Sequence, residues 1–251
     1  MASPSSFLQG LALVDEAVRR ERSGRLAHNA SRLAESTGIE RSRVSRLTQE
    51  LRELGYLERD EATLFGAGPR YLRTGASLAH PWLRAARGEL RRLAVAHDVS
   101  AVIAAADGPA AVLLRVEHPS GRDDGYLHPG ARLPIWCTGA GRALLWDHSD
   151  AEISALLEAV QFVGVGGPAA AHSPEEVIAR QARDRMSGRI TAAQEYVEGA
   201  HEHALPLRRG GRIVAAVAVT APARGQRRVR EALTALASAV DRLSLVADQP
   251  A

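Results

Sequence analysis

Ala34, four residues to Gly38, six more to Val44 and three more to Leu47: no other feature constrains this 251-residue chain as tightly. It is the spacing of a helix-turn-helix, and packing explains it. A small residue at Ala34 lets a second helix cross closely. Gly38 supplies a left-handed turn, and Val44 and Leu47 bury the second helix against the first. The surrounding pattern agrees. Phe7, Leu8, Leu11, Val14, Ala17 and Val18 predict an amphipathic helix over 6–22, ended by Ser23-Gly24. Ser31 is a candidate N-cap for the next helix. A third helix is expected over 41–54, burying Val44, Leu47, Leu51 and Leu54, with Gly55 stopping it. Residues 56–66 read as a small hairpin, where a wing would sit, and Pro69 and Gly75 punctuate the stretch after it.

The outer face of the third helix carries Arg41, Ser42, Arg43, Ser45 and Arg46, with no acid from 41 to 46. Arginine and hydroxyl side chains suit major-groove base edges and phosphates. An Ala-x3-Gly spacing also arises by chance, and an Arg-rich helix face is ordinarily just solvated. The ordered set of helix, helix, turn, helix and hairpin favours double-stranded DNA.

Composition then removes other classes. All 32 basic residues are Arg, against 29 acidic ones, so the net charge of +3 says little about nucleic acid; local placement must decide. Aromatics at 4% disfavour single-strand binding by base stacking. A lone cysteine, Cys137, allows no intrachain disulfide and no thiolate metal site. Without an 18-residue apolar run or a signal-like N-terminus, the expectation is a cytoplasmic protein with no membrane contact.

The remainder reads as α+β. A helix over 81–97 connects to apolar, β-prone runs at 99–106 and 111–116, joined by Asp107-Gly108-Pro109. Helical patterns occur at 139–147, 150–160 and 174–187, strands at 190–195, 202–207 and 212–220, and a last helix at 225–246. Hairpin-linked strands imply an antiparallel sheet.

Two chemical alternatives remain. His201 and His203 share one strand face, and with a third ligand such as His128 they could hold a metal. Cys137 or that His pair could serve a small-molecule hydrolase. A buried inert thiol and a satisfied His pair are the plainer readings. No P-loop, dinucleotide fingerprint or zinc-finger spacing is present. No catalytic residue, metal or cofactor is therefore assigned.

Residues 31–60, SRLAESTGIERSRVSRLTQELRELGYLERD, resemble the winged helix-turn-helix of IclR-type bacterial transcriptional regulators. GARLPIWCTGAGRALL (130–145) and EYVEGAHEHALPLRRGGRIVAAVAVTAPA (195–223) resemble two further stretches of that family, in the right order. The resemblance implies a winged helix-turn-helix domain (1–75), a connector helix (76–98) and a GAF-like effector-binding and oligomerisation domain (99–251). It also implies dimers or dimers of dimers on a pseudo-palindromic operator. The apolar first helix and the connector around Leu83 to Leu93 are candidate contact surfaces.

By the same resemblance, the effector pocket lies where 126–141 meets 196–220. Those stretches offer Tyr126, His128, Trp136, Thr138, Gly139, Ala140, Tyr196, His201, His203 and Thr220. Flat rings with hydroxyl and imidazole groups suit a small aromatic acid of the hydroxybenzoate kind. Backbone N–H groups after Gly139 would take its carboxylate. Glu202 is then expected to face away or pair with an Arg. Two departures from the family, Ala192-Ala193 in place of an acidic pair and Glu202 in place of a Cys, fall in this region.

Overall fold

The computed structural model describes residues 5–22, 25–71, 80–122, 124–222, 224 and 226–249. The expected stops at Ser23-Gly24 and Gly75 lie outside the described residues. The chain divides into two compact units, Met1–His80 and Pro81–Ala251.

The first unit contains α1 (Ser6–Arg22), α2 (Ala30–Thr37), α3 (Arg41–Glu53), β1 (Leu57–Arg59) and β2 (Phe65–Ala67). Gly38 takes φ +68°, and its N–H closes α2 on the Ala34 carbonyl, so the turn needs the residue it has. The cap of α2 differs from the expectation. Asn29, not Ser31, is the N-cap, accepting from the Arg32 N–H at 3.0 Å. Ser31 lies within the first turn and hydrogen-bonds the Arg41 guanidinium instead.

Leu13, Val14, Ala17 and Val18 pack on Leu33, Ala34, Val44 and Leu47, closed over by Leu57 and Phe65. Four apolar positions of the expected helical faces fall outside this cluster. Leu54 is exposed, because the helix ends at Glu53 and Thr48 fills the buried face, its hydroxyl returned to the Val44 carbonyl at 2.8 Å. Phe7, Leu8 and Leu11 are exposed as well, since the apolar stripe of α1 runs on past the stretch that the core covers.

The second unit is a six-stranded antiparallel sheet in the order β5-β4-β3-β8-β7-β6. Its strands are β3 (Ser100–Asp107), β4 (Ala110–Glu117), β5 (Arg132–Pro134), β6 (Ile190–Ala193), β7 (Ala200–Arg209) and β8 (Arg212–Pro222). Gly210 and Gly211, at φ +55° and +78°, make the tight β7–β8 turn.

Both faces are covered. On one lie α4 (Pro81–His97), α8 (Gln226–Glu231) and α9 (Leu233–Ala247), packed on Ala101, Ile103, Leu207, Val217 and Val219. On the other lie α5 (Gly139–Leu144), α6 (Asp150–Leu157) and α7 (Pro174–Ser187), over Val102, Ala104, Ala204, Ala216 and Ala218. That alternation fixes β7: Ala204, and Glu202 with it, face α5, whereas His201 and His203 face the other way.

Three expectations shift here. Leu83, Leu90 and Leu93 of the connector are buried within the second unit, so they offer no free surface. The last helix is two, broken at Ala232. Strand β5 has no counterpart among the expected elements, because three residues are too few to show a period. Among the described residues, no helix is long and apolar enough to cross a membrane.

Candidate DNA-reading face and ligand cavity

On α3, Val44, Leu47 and Thr48 point inward. At 100° per residue, Ser42, Arg46 and Gln49 then occupy the centre of the opposite face. Ser42, Ser45, Arg46 and Gln49 are exposed there. Arg41 and Arg43 flank the face. Arg41 is exposed, while Arg43 is half-buried beside a groove that also touches Leu8, Ala12 and Ile39. Two acids temper this surface. Glu40 caps α3 through the Ser42 N–H at 3.0 Å and also takes the Ser42 hydroxyl, which holds the Glu40 carboxyl below its usual range. Glu50 sits 3.9 Å from Arg46. Gln49 is an addition to the residues expected from sequence, and its position three residues beyond Arg46 is the signal that places it on the same face.

The second unit holds a small cavity between α5 and the sheet. Val102, Leu113, Leu127 and Leu133 form its apolar floor. Tyr126, Cys137, Thr138, Glu195, Tyr196, Glu202 and Thr220 give it polarity, and Ala140, Ala192, Val197 and Ala200 complete the wall. Its volume is about 20 Å³, room for one water. The rings of Tyr126 and Tyr196 meet at 5.7 Å and 60°. Burial and the Glu202 charge push the Tyr126 phenol well above its ordinary range, so it stays neutral.

Glu202 overturns the expectation made for it. Its carboxylate lines the cavity and sits on the backbone: Gly139 N–H donates to Oε2 at 2.9 Å, and Ala140 N–H to Oε1 at 2.7 Å. These are the groups expected from sequence to hold an effector's carboxylate. Gly139 is required for this fit, because a Cβ there would stand 2.8 Å from Glu202 Cδ. Burial raises the Glu202 carboxyl, while the two N–H bonds oppose the shift.

Behind the cavity lies an ion network. The Arg142 side chain is 2% exposed; it reaches Asp184 at 2.7 Å and Glu195 at 3.1 Å and donates to the Thr191 carbonyl at 2.7 Å. Arg180 joins Glu195 at 3.1 Å. Burial pushes both carboxyls up against the pull of Arg142. No local pattern announces this network, since Arg142 and Glu195 are 53 residues apart in the chain.

Of the expected pocket residues, the structure brings Tyr126, Thr138, Ala140, Tyr196 and Thr220 to the cavity. Gly139 reaches it only through the Glu202 bond. Four do not line it. Trp136 is buried against Phe162, ring centroids 5.2 Å apart. His128 is exposed. His201 and His203 border a separate cleft with Arg189 and Arg230 on the opposite face of the sheet. His203 is satisfied by Thr191 Oγ1 at 2.9 Å, and burial lowers its pKa. Among the described residues no cluster of three His, Cys, Asp or Glu side chains could hold a metal.

Cys137 is fully buried, and burial pushes its thiol up to about 12. At pH 8 only about one part in ten thousand would be thiolate, so the residue is a poor nucleophile. Iodoacetamide labelling of the native protein at pH 8 is expected to run at least about 100-fold slower than labelling in denaturant. Equal rates would show an accessible, activated thiol.

A winged helix-turn-helix unit with a cavity-bearing α+β unit defines a DNA-binding transcriptional regulator. This chain belongs to the IclR family: residues 78–245 match the family described as bacterial transcriptional regulator IclR C-terminal, and residues 16–61 match the IclR helix-turn-helix domain. Its members are transcriptional regulators, not enzymes. Solved structures agree in fold. A chain from Silicibacter sp. TM1040 assigned to the IclR regulators superposes with TM-score 0.83 at 24% identity, covering 98% of this chain and 97% of that one. An IclR regulator from Alicyclobacillus acidocaldarius gives 0.81 at 16%, covering 98% and 100%. An IclR homologue from Microbacterium hydrocarbonoxydans, complexed with 4-hydroxybenzoate, gives 0.81 at 19%, covering 97% and 99%. No curated protein sequence matches.

Proposed function

We propose that the chain is a homo-oligomeric operator-binding regulator: the Met1–His80 unit reads DNA, and a small molecule in the Pro81–Ala251 cavity modulates that reading. The observation that carries the DNA half is the α3 face, where Ser42, Ser45, Arg46 and Gln49 stand exposed opposite Val44 and Leu47. Arg41 and Arg43 flank them as phosphate or base contacts. Two copies then address a pseudo-palindrome with half-sites about one helical turn apart. Enrichment of duplexes from a random pool by the full chain tests this, and a selected sequence without two-fold symmetry would contradict it.

The exposed part of α1 supports the oligomer. Phe7, Leu8 and Leu11 are 72%, 56% and 48% exposed, an apolar stripe that a partner surface would cover. A Phe7→Glu, Leu11→Glu variant is expected to sediment as a smaller species than wild type and to lose operator affinity. An unchanged assembly would place the interface elsewhere.

For the effector, the two tyrosine rings and the Thr220 hydroxyl favour a small ring bearing polar substituents. The 4-hydroxybenzoate complex of the Microbacterium homologue supports the ring. A hydroxybenzoate-like acid is the form expected from sequence, but its carboxylate would have to displace Glu202 from Gly139 and Ala140. Calorimetry on the full chain with 4-hydroxybenzoate, protocatechuate, glyoxylate and pyruvate tests the ring. Tight glyoxylate binding with no response to either aromatic would exclude it.

A further inference from the structure

We infer that the cavity of the second unit selects a cation, a protonated amine carried on a small ring, with Glu202 as its counter-ion. This rests on the reading of that cavity as the effector site and adds the sign of the ligand's charge.

Glu202 is fixed in position at the cavity. The carboxylate is locked in place by two N–H bonds, by the absence of a Cβ at Gly139, and by the β7–β8 register that sets Glu202 opposite Thr220. A carboxylate has about four lone-pair sites, and the backbone takes two, so acceptor capacity remains. Tyr126, Tyr196 and Thr220 add oxygen acceptors around the same space. The tilted tyrosine pair adds π-faces, which attract ammonium groups.

The approach to the cavity is acidic as well. A groove of about 170 Å³ adjoins the cavity and shares Tyr126, Val197, Ala200 and Thr220 with it. It adds Asp124 and Glu198. Among the described residues, the cavity and this groove are lined by four carboxylates (Asp124, Glu195, Glu198 and Glu202) and by no Arg or His. Two of the four are already matched: Arg142 and Arg180 meet Glu195 from behind the cavity wall, and Asp124 accepts from the Ser100 hydroxyl and lies 3.8 Å from His118. Glu198 and Glu202, with no Arg or His partner among the described residues, set the sign of the path. Such a path concentrates cations and repels acids, and the repulsion grows where water is excluded. Size fits too: the cavity takes one water-sized group, which an ammonium head is, while a ring would lie in the adjoining groove.

The test is calorimetry on the full-length protein with three compounds of one skeleton: tyramine, tyrosol and 4-hydroxyphenylacetate, carrying positive, zero and negative charge. Tyramine is expected to bind at least about tenfold more tightly than tyrosol, and the acid least of all. Glu202→Gln is expected to erase at least about tenfold of that amine preference and to improve binding of the acid. Its melting temperature, and that of Ala200→Leu, checks that the variants fold. If the acid binds wild type as well as the amine does, and Ala200→Leu abolishes that binding, the cavity reading stands and the cation inference falls. An amine affinity unchanged in Glu202→Gln overturns the inference in the same way. If none of the three binds, or if binding survives Ala200→Leu, the cavity reading fails and takes the inference with it.

Discussion

An Arg142→Ala protein is expected to lose about 3–5 kcal/mol of stability, the usual cost of removing one partner from a buried ion network. Arg142 sits with its side chain 2% exposed between Asp184 and Glu195. It also holds the Thr191 carbonyl, and its own carbonyl accepts from Gln181 Nε2 at 3.0 Å. Truncation would strand Asp184 as a buried charge and leave Glu195 with Arg180 alone. For a unit of this size that corresponds to a melting temperature lower by roughly 10 °C or more. An Arg142→Met, Asp184→Leu double variant is expected to recover part of the loss, because the pair leaves together. Urea and thermal unfolding check both. A loss under about 1 kcal/mol would mean that water already reaches the network.

Replacing Arg43 and Arg46 together by Ala is expected to weaken operator binding by two orders of magnitude or more, with stability changed by less than about 0.5 kcal/mol. A good bidentate arginine–guanine contact is worth about 1–3 kcal/mol of discrimination, and each lost phosphate contact flattens the salt dependence by about one unit. Arg46 is central on the α3 face and is expected to dominate, whereas Arg43 stands at its flank. Measuring affinity at several salt concentrations separates base from phosphate contacts. Wild-type affinity and slope in the double variant would overturn the assignment of α3.

Much of the fold is legible in the sequence because its determinants are local. Ala34, Gly38, Val44 and Leu47 are tied to one another by turn geometry and helix period, and the glycines of the β7–β8 turn announce their hairpin. The site is legible only in part. Period-two alternation shows that His201 and His203 oppose Glu202, but not which side meets α5. That is decided by Leu207 and Val219 packing under α4 and α9, a tertiary choice. The same blindness hides the Arg142 network and leaves Gly139 readable only as a helix opening, not as the seat of Glu202. Trp136 reads as a ligand contact because a flat ring serves a core and a pocket equally well. Leu54 reads as core because the helical period extends one residue past the helix end.

Coupling between the cavity and the DNA-reading face is tested by fluorescence anisotropy of the full chain on the duplex it selects, without and with a saturating cavity ligand from the tyramine series. Tight, salt-dependent binding is expected, changing by at least about fivefold when the ligand is present, the lower end of ordinary allosteric coupling. An affinity that stays the same while calorimetry shows the ligand bound would contradict that coupling.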